Sequence, residues 1–220
     1  MMKTKLCVFD LDGTLLDTID DLANSMNRVL MENQYPSHSV EWYKKKVGNG
    51  AKRLLLDALP AEHGLCTENI GELLKVYKED YDSSSMVLTR PYDGIPELLN
   101  HLTALSVQVA VVTNKPQNTA EILLKEYFSE VNFVAVRGDY PGRPIKPDPL
   151  LVEEVLSIAK VSPDQSILIG DTEVDMILAQ RASIFSIGVS WGFRDRGVLE
   201  GSGANAIVET PAQIIEYLNR

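Results

Sequence analysis

The stretch KLCVFDLDGTLLDT, from Lys5 to Thr18, decides how the rest of the chain is read. Leu6 to Phe9 form an uninterrupted apolar run of strand length that ends in Asp10 and Asp12. A strand apolar at every position is buried on both faces, which is the habit of parallel sheets. Side chains alternate along an extended chain, so Asp10 and Asp12 would project to the same side, and Gly13 permits a sharp change of direction just after them. Two carboxylates so close resist joint ionisation unless a cation intervenes. Hard oxygen donors suit magnesium, which also accepts a substrate phosphate in its shell.

Working outward, the apolar runs VQVAVVT (Val107 to Thr113), VNFVAV (Val131 to Val136), SILIG (Ser166 to Gly170) and SIFSIGV (Ser183 to Val189) read as further strands. Helical patterns alternate with them: GIPELLNHLTAL, PQNTAEILLKEY, PDPLLVEEVLSIA and EVDMILAQRA. Such alternation predicts an α/β chain with a doubly wound, Rossmann-like parallel sheet covered on both faces. From Asp17 to about Asp82 the alternation breaks, and only helical patterns appear, notably TIDDLANSMNRVLMEN, AKRLLLDAL and IGELLKVYKEDY. An all-helical insert therefore follows the first strand, and SSS at Ser83 to Ser85 and RPYDG at Arg90 to Gly94 mark the return. Parallel sheets bind ligands at the carboxyl ends of their strands, which gathers Asp10 and Asp12, Thr113 and Asn114, and Asp171.

Composition narrows the function classes. The 220 residues are 45% hydrophobic and 24% charged, ordinary for a globular chain. A formal charge of −10 without a long basic stripe argues against nucleic acid. No apolar run reaches the length of a membrane span, and the amino-terminal text lacks the apolar stretch of a signal peptide, so a cytoplasmic location is expected. Cys7 and Cys66 read as free thiols, and His38, His63 and His101 lack ligand spacing. LDGTLLD is neither the G-x-G-x-x-G of dinucleotide binding nor a P-loop. A signalling receiver domain phosphorylates an aspartate too, but at the end of a middle strand and without a helical insert.

FDLDGTLLDT, then VVTNK, then IKP, then IGDTEVD stand in the order of the four motifs of haloacid dehalogenase-like hydrolases, and the text RPYDGIPELLNHLTALSVQVAVVTNKP resembles their phosphoglycolate phosphatases. The resemblance implies a core from residues 1–16 and 85–220 and a helical cap from 17–84. It implies that Asp10 is the nucleophile, Asp12 the general acid and base, Thr113 and Asn114 the phosphoryl hydrogen-bond donors, and Lys146 the neutralising cation. Magnesium would be held by Asp10, Asp171 and the backbone carbonyl of Asp12, with Asp175 supporting it from behind. Gly13, Thr14 and Lys115 complete the phosphate side. On the cap, Asn49, Gly50, Lys52 and Arg53, near the run Lys44 to Lys46, are expected to read the leaving group. The expected partner is a small anionic phosphorylated substrate, 2-phosphoglycolate foremost, with no nucleic acid or membrane, in a monomer or homodimer. A sugar phosphomutase, an inorganic pyrophosphatase or a weak phosphate-binding or signalling protein are the alternatives. The chain departs from the family at Gln180 to Ser183, where a small residue and glycine are usual. It departs again in SWGFRDRG, where Arg194 and Arg196 read as solvated charges.

Overall fold

The computed structural model describes residues 3–60 and 67–219; Cys66 and His63 lie outside the described residues. Strand β1 (Leu6–Phe9) and the short β2 (Leu16–Asp17) precede four helices, α1 (Ile19–Glu32), α2 (Val40–Lys46), α3 (Ala51–Ala58) and α4 (Thr67–Ser84). After β3 (Arg90–Pro91) come α5 (Ile95–Ala104), β4 (Gln108–Pro116), α6 (Gln117–Tyr127), β5 (Phe133–Asp139), α7 (Leu150–Ala159), β6 (Ser166–Gly170) and α8 (Glu173–Arg181). The chain closes with β7 (Phe185–Val189), α9 (Arg196–Gly201), β8 (Ala206–Val208) and a 3-10 segment, Pro211–Tyr217.

Six strands form one sheet in the order β5-β4-β1-β6-β7-β8, and every neighbouring pair is parallel. The chain winds outward from β1 first one way and then the other, so the carboxyl end of β1 lies at the switch point where such sheets open a crevice. Side-chain alternation divides β1 between two cores: Cys7 and Phe9 pack with α5 and α6 residues such as Leu99 and Leu123. Leu6 and Val8 pack with Val152 and Leu178 of α7 and α8. Burial of each such side chain contributes roughly 1.5–3 kcal/mol, which explains why these strands read as continuous apolar runs.

The helices between β2 and β3 build a third cluster of their own. Leu22, Met26, Val29 and Leu30, at helical spacing on α1, meet Tyr43, Leu55, Leu73, Tyr77 and Tyr81. Arg28 clamps α1 to α4 through Asp80 at 2.6 Å. The two chain crossings between this layer and the sheet are tied together. β2 pairs antiparallel with β3, and the buried Asp21 carboxylate accepts the N–H groups of Leu88 and Thr89. No described helix is long and apolar enough to cross a membrane.

Several boundaries differ from the sequence expectation. β4 continues through Asn114 and Lys115 to Pro116 instead of ending at Thr113, because a register shift lets Pro116 pair with Asp139. β5 starts two residues later than expected, at Phe133, and ends three later, at Asp139. α2, capped by the Ser39 side chain accepting from the Trp42 N–H, was too short to announce itself, as were α9 and β8. β7 begins at Phe185 because Ser183 turns left-handed at φ 55°. This serine takes the conformation for which the family's glycine is suited.

Candidate functional site

Asp10 leaves the end of β1 with its N–H on the Ile169 carbonyl at 2.9 Å. Its carboxylate accepts the Leu11 N–H at 2.6 Å and the Lys146 ammonium at 2.8 Å. Gly13, at φ 82°, then reverses the chain. Asp171, at the end of β6, is fully buried and accepts from the Thr14 hydroxyl at 3.3 Å and the Phe193 N–H at 2.8 Å. Only glycine fits against it: a Cβ on Gly13 or Gly192 would stand 2.3 Å from an Asp171 atom. Asp175, one turn into α8, closes a capping box with Thr172 and reaches Lys146 at 2.7 Å.

Carboxylate oxygens of Asp10, Asp171 and Asp175 lie within 4.8 Å of one another, all buried. Burial pushes the Asp10 carboxyl up to about 7, against the pull of Lys146, and the nearby Asp175 adds to the rise. Burial, then the charges of Asp10 and Asp175, lifts Asp171 well above the usual carboxylate range. Burial alone would lower Lys146, but Asp10 and Asp175 outweigh it and hold the ammonium above its ordinary value. Three buried carboxylates facing one ammonium leave an excess of negative charge in an all-oxygen donor set. A hard divalent cation such as magnesium fits that charge and those donors.

Asp12 stands apart from this cluster. Its carboxylate accepts the Thr18 hydroxyl at 2.7 Å and the Lys115 ammonium at 2.9 and 3.2 Å. Lys115, buried on β4, also donates to the Tyr81 hydroxyl at 2.8 Å and sits 4.4 Å from that ring's centroid. Burial keeps the Tyr81 phenol protonated. The Thr113 hydroxyl oxygen accepts the Lys115 N–H at 3.2 Å, which leaves its own hydrogen for a ligand. Asn114 is committed differently from the expectation. Its side-chain amide donates to the carbonyls of Gly48 and Lys146 and accepts the Lys146 N–H, so both side-chain N–H groups brace the site.

Asp10, Asp12, Thr113, Asn114, Lys115 and Lys146 line a cavity of about 120 Å³ between sheet and helices, with Val47, Gly48, Gly50, Ala51, Tyr77 and Tyr81 on its helical side. Gly50 thus meets the cavity as expected, whereas Asn49, Lys52 and Arg53 do not line it. Arg53 is 64% exposed and pairs with Asp57 on the outer face of α3. Lys44 and Lys46 pair with Glu41 and Asp57, also away from it. Helical spacing held the clue: Leu54, Leu55 and Ala58 are the buried face of α3, and Lys52 and Arg53 fall opposite.

Arg194 corrects the expectation of a solvated charge. Its side chain is only 9% exposed and is paired with Glu173, while Arg196 is exposed and paired with Glu200 and Glu209.

The family model for haloacid dehalogenase-like hydrolase matches residues 7–189. The phosphoglycolate phosphatase of Pseudomonas putida is 30% identical over 207 residues, covering 93% of this chain and 76% of its own. That of Mesorhizobium japonicum is 28% identical, covering 100% and 97%. A solved structure from Lactobacillus delbrueckii superposes with a TM-score of 0.92 at 29% identity over 99% of both chains. The haloacid dehalogenase-like family protein from Streptococcus pneumoniae gives 0.87 at 25% identity, covering 100% of both.

Proposed function

Since the chain belongs to the haloacid dehalogenase-like hydrolases, we propose that it is a magnesium-dependent phosphatase of small phosphomonoesters, 2-phosphoglycolate first, acting through a phosphorylated Asp10. The observation that carries this reading is the division of two aspartates two residues apart. Asp10 lies in the buried carboxylate cluster against Lys146, while Asp12 faces Lys115 at the cavity. On this reading Asp10 acts as the nucleophile and Asp12 handles a proton.

In the first step an Asp10 oxygen forms a bond to phosphorus as the bond to the leaving oxygen breaks, and Asp12 supplies the proton that oxygen takes up. In the second, Asp12 accepts a proton from water, which attacks the aspartyl phosphate and releases phosphate and free Asp10. Lys146 balances charge on Asp10, and Thr113 offers a hydroxyl to a phosphoryl oxygen. Asp10, Asp171 and the Asp12 carbonyl would hold magnesium, with Asp175 orienting from behind, and the bound ion supplies positive charge to the phosphoryl oxygens.

Residues 17–84 serve as a cap over a core of 1–16 and 85–220. The cavity of about 120 Å³ suits a leaving group the size of glycolate better than a nucleoside, since pockets for larger ligands run to roughly 300–1,000 Å³. The likeness to phosphoglycolate phosphatases supports the same substrate. The test is phosphate release across a panel of phosphomonoesters with and without magnesium. Fastest release from 2-phosphoglycolate is expected. Isomerisation of a sugar phosphate with little net release would replace this reading with a mutase.

A further inference from the structure

Arg194 stands in the loop after β7, where the sequence departs from its family, and its guanidinium makes four hydrogen bonds. Nε and Nη2 donate to the two carboxylate oxygens of Glu173 at 2.8 and 3.3 Å. Nη2 also donates to the Val47 carbonyl at 2.7 Å, and Nη1 donates to the Lys44 carbonyl. Glu173 opens α8 on the sheet side, whereas Lys44 and Val47 close α2 on the helical side. The last carbonyls of a helix lack partners within it and carry its partial negative charge, so a planar cation with several donors suits them. The preceding residue points the same way: Phe193 buries its ring in the helical cluster while its N–H holds Asp171.

The residues held by Arg194 lead directly to the chemistry. Val47 is followed by Gly48, whose carbonyl accepts the Asn114 amide at 2.8 Å. Asn114 bonds both the N–H and the carbonyl of Lys146, whose ammonium contacts Asp10.

We infer that Arg194 is a positioning residue for the hydrolysis: braced by Glu173, it clamps the Val47–Gly50 loop over the cavity, where Gly48 meets the sheet side through Asn114. The kinetic side of this inference rests on the phosphatase reading, and the geometric side does not. Arg194 touches neither substrate nor reacting atoms. Without it the loop closes only part of the time, which reduces apparent affinity by the fraction closed, while saturating substrate draws the loop shut.

Arg194→Ala is expected to raise KM about tenfold, leave kcat within about threefold, and do so equally for 2-phosphoglycolate and p-nitrophenyl phosphate. Guanidinium ion added to this variant restores KM. Arg194→Lys stays near the alanine value, because one ammonium cannot span two carbonyls and a carboxylate. Glu173→Gln, which keeps the arginine, shifts KM in the same direction by about threefold. A second readout needs no substrate. The N–H groups of Val47 and Leu54, bonded to the Tyr43 and Gly50 carbonyls, are expected to exchange hydrogen at least about tenfold faster in Arg194→Ala, with the amides of β1 unchanged. Faster exchange in a protein that hydrolyses no phosphomonoester would overturn the phosphatase reading and leave the clamp standing. Unchanged exchange at both amides, a fall in kcat at constant KM, or failure of guanidinium to rescue would overturn the clamp.

Discussion

On the sheet side of the cavity, Asp10 and Asp171 directly follow the parallel strands β1 and β6, and Thr113 and Lys115 lie near the end of β4, with backbone pairing behind them. On the helical side, Val47, Gly48, Gly50 and Ala51 belong to one short loop and a helix start, and Val47 and Gly48 are held by the Arg194 and Asn114 side chains reaching across from the sheet. The two buried lysines show the contrast. The Lys146 ammonium pairs with two carboxylates of the sheet side, Asp10 and Asp175. Lys115 is shared between Asp12 and the Tyr81 hydroxyl of α4. One wall is assembled by the sheet itself and the other only when the helices are seated. Damage to the first should therefore appear as lost chemistry, and damage to the second as altered binding.

The largest effect is expected at Asp10. On the proposed mechanism Asp10→Asn removes the nucleophile and should lower turnover by at least about a thousandfold. Stability should move the other way, because the amide takes no charge into the buried cluster. In chelator, the variant should melt at or above wild type. Turnover near wild type would remove Asp10 from the mechanism.

Next comes Lys146→Ala, which leaves Asp10 and Asp175 facing each other in a buried site without their shared cation. Breaking such a contact costs about 3–5 kcal/mol, to be read from denaturant midpoints in chelator. Magnesium should recover part of that stability, while phosphate release remains impaired. A loss of stability with full activity would make Lys146 purely structural.

The sheet wall was readable because its physics is local. The run from Leu6 to Phe9 and the run SILIG each announce a buried strand, and polar residues at the ends of such strands can only converge. The expected end of β4 at Thr113 failed because Asn-Lys-Pro resembles a loop, and only its pairing with β5 keeps it extended. The role of Asn114 was hidden for a related reason. An amide at a strand end can bind a phosphoryl group or brace a neighbouring loop, and the choice depends on Gly48, 66 residues earlier. The helical wall shows its cations plainly in sequence but not which way they face. Arg194 carried no periodic signal at all, since a loop side chain becomes a clamp only when α2 ends opposite it.

Magnesium and pH should separate the walls again, with a moderate effect. The folded protein holds the Asp10 and Asp171 carboxyls above their ordinary range, so without metal it binds protons that the unfolded chain has released. Its stability therefore falls as pH rises from the ordinary carboxylate value of 3.8 toward about 7. If magnesium takes the cluster as proposed, it displaces those protons, so the gain in melting temperature on adding it should grow over the same interval. Thermal melts at pH 5 and pH 8, in chelator and in magnesium, test this. A gain that shrinks with rising pH would contradict the assignment of the cluster to a metal.

The smallest effects are expected from the outer cations of the helical wall, set against Tyr81 on its inner face. Tyr81→Phe removes the hydroxyl that receives Lys115 but keeps the ring beneath its ammonium, a change worth about 1 kcal/mol by the usual net value of one hydrogen bond. It should appear as a severalfold change in KM for 2-phosphoglycolate, because Lys115 is freed to shift within the cavity. Arg53→Ala should change neither KM nor kcat by more than about twofold, since an exposed ion pair within one helix adds little and is screened by solvent. Arg53 lies beside Asp57 and outside the cavity lining, and Lys52 occupies the same outward face. Steady-state kinetics of both variants on 2-phosphoglycolate and p-nitrophenyl phosphate decide the point. If Arg53→Ala or Lys52→Ala raised KM for the carboxylate-bearing substrate alone, the loop would have to rotate these cations inward when substrate binds. The division between a reading inner face and a solvated outer face would then be lost.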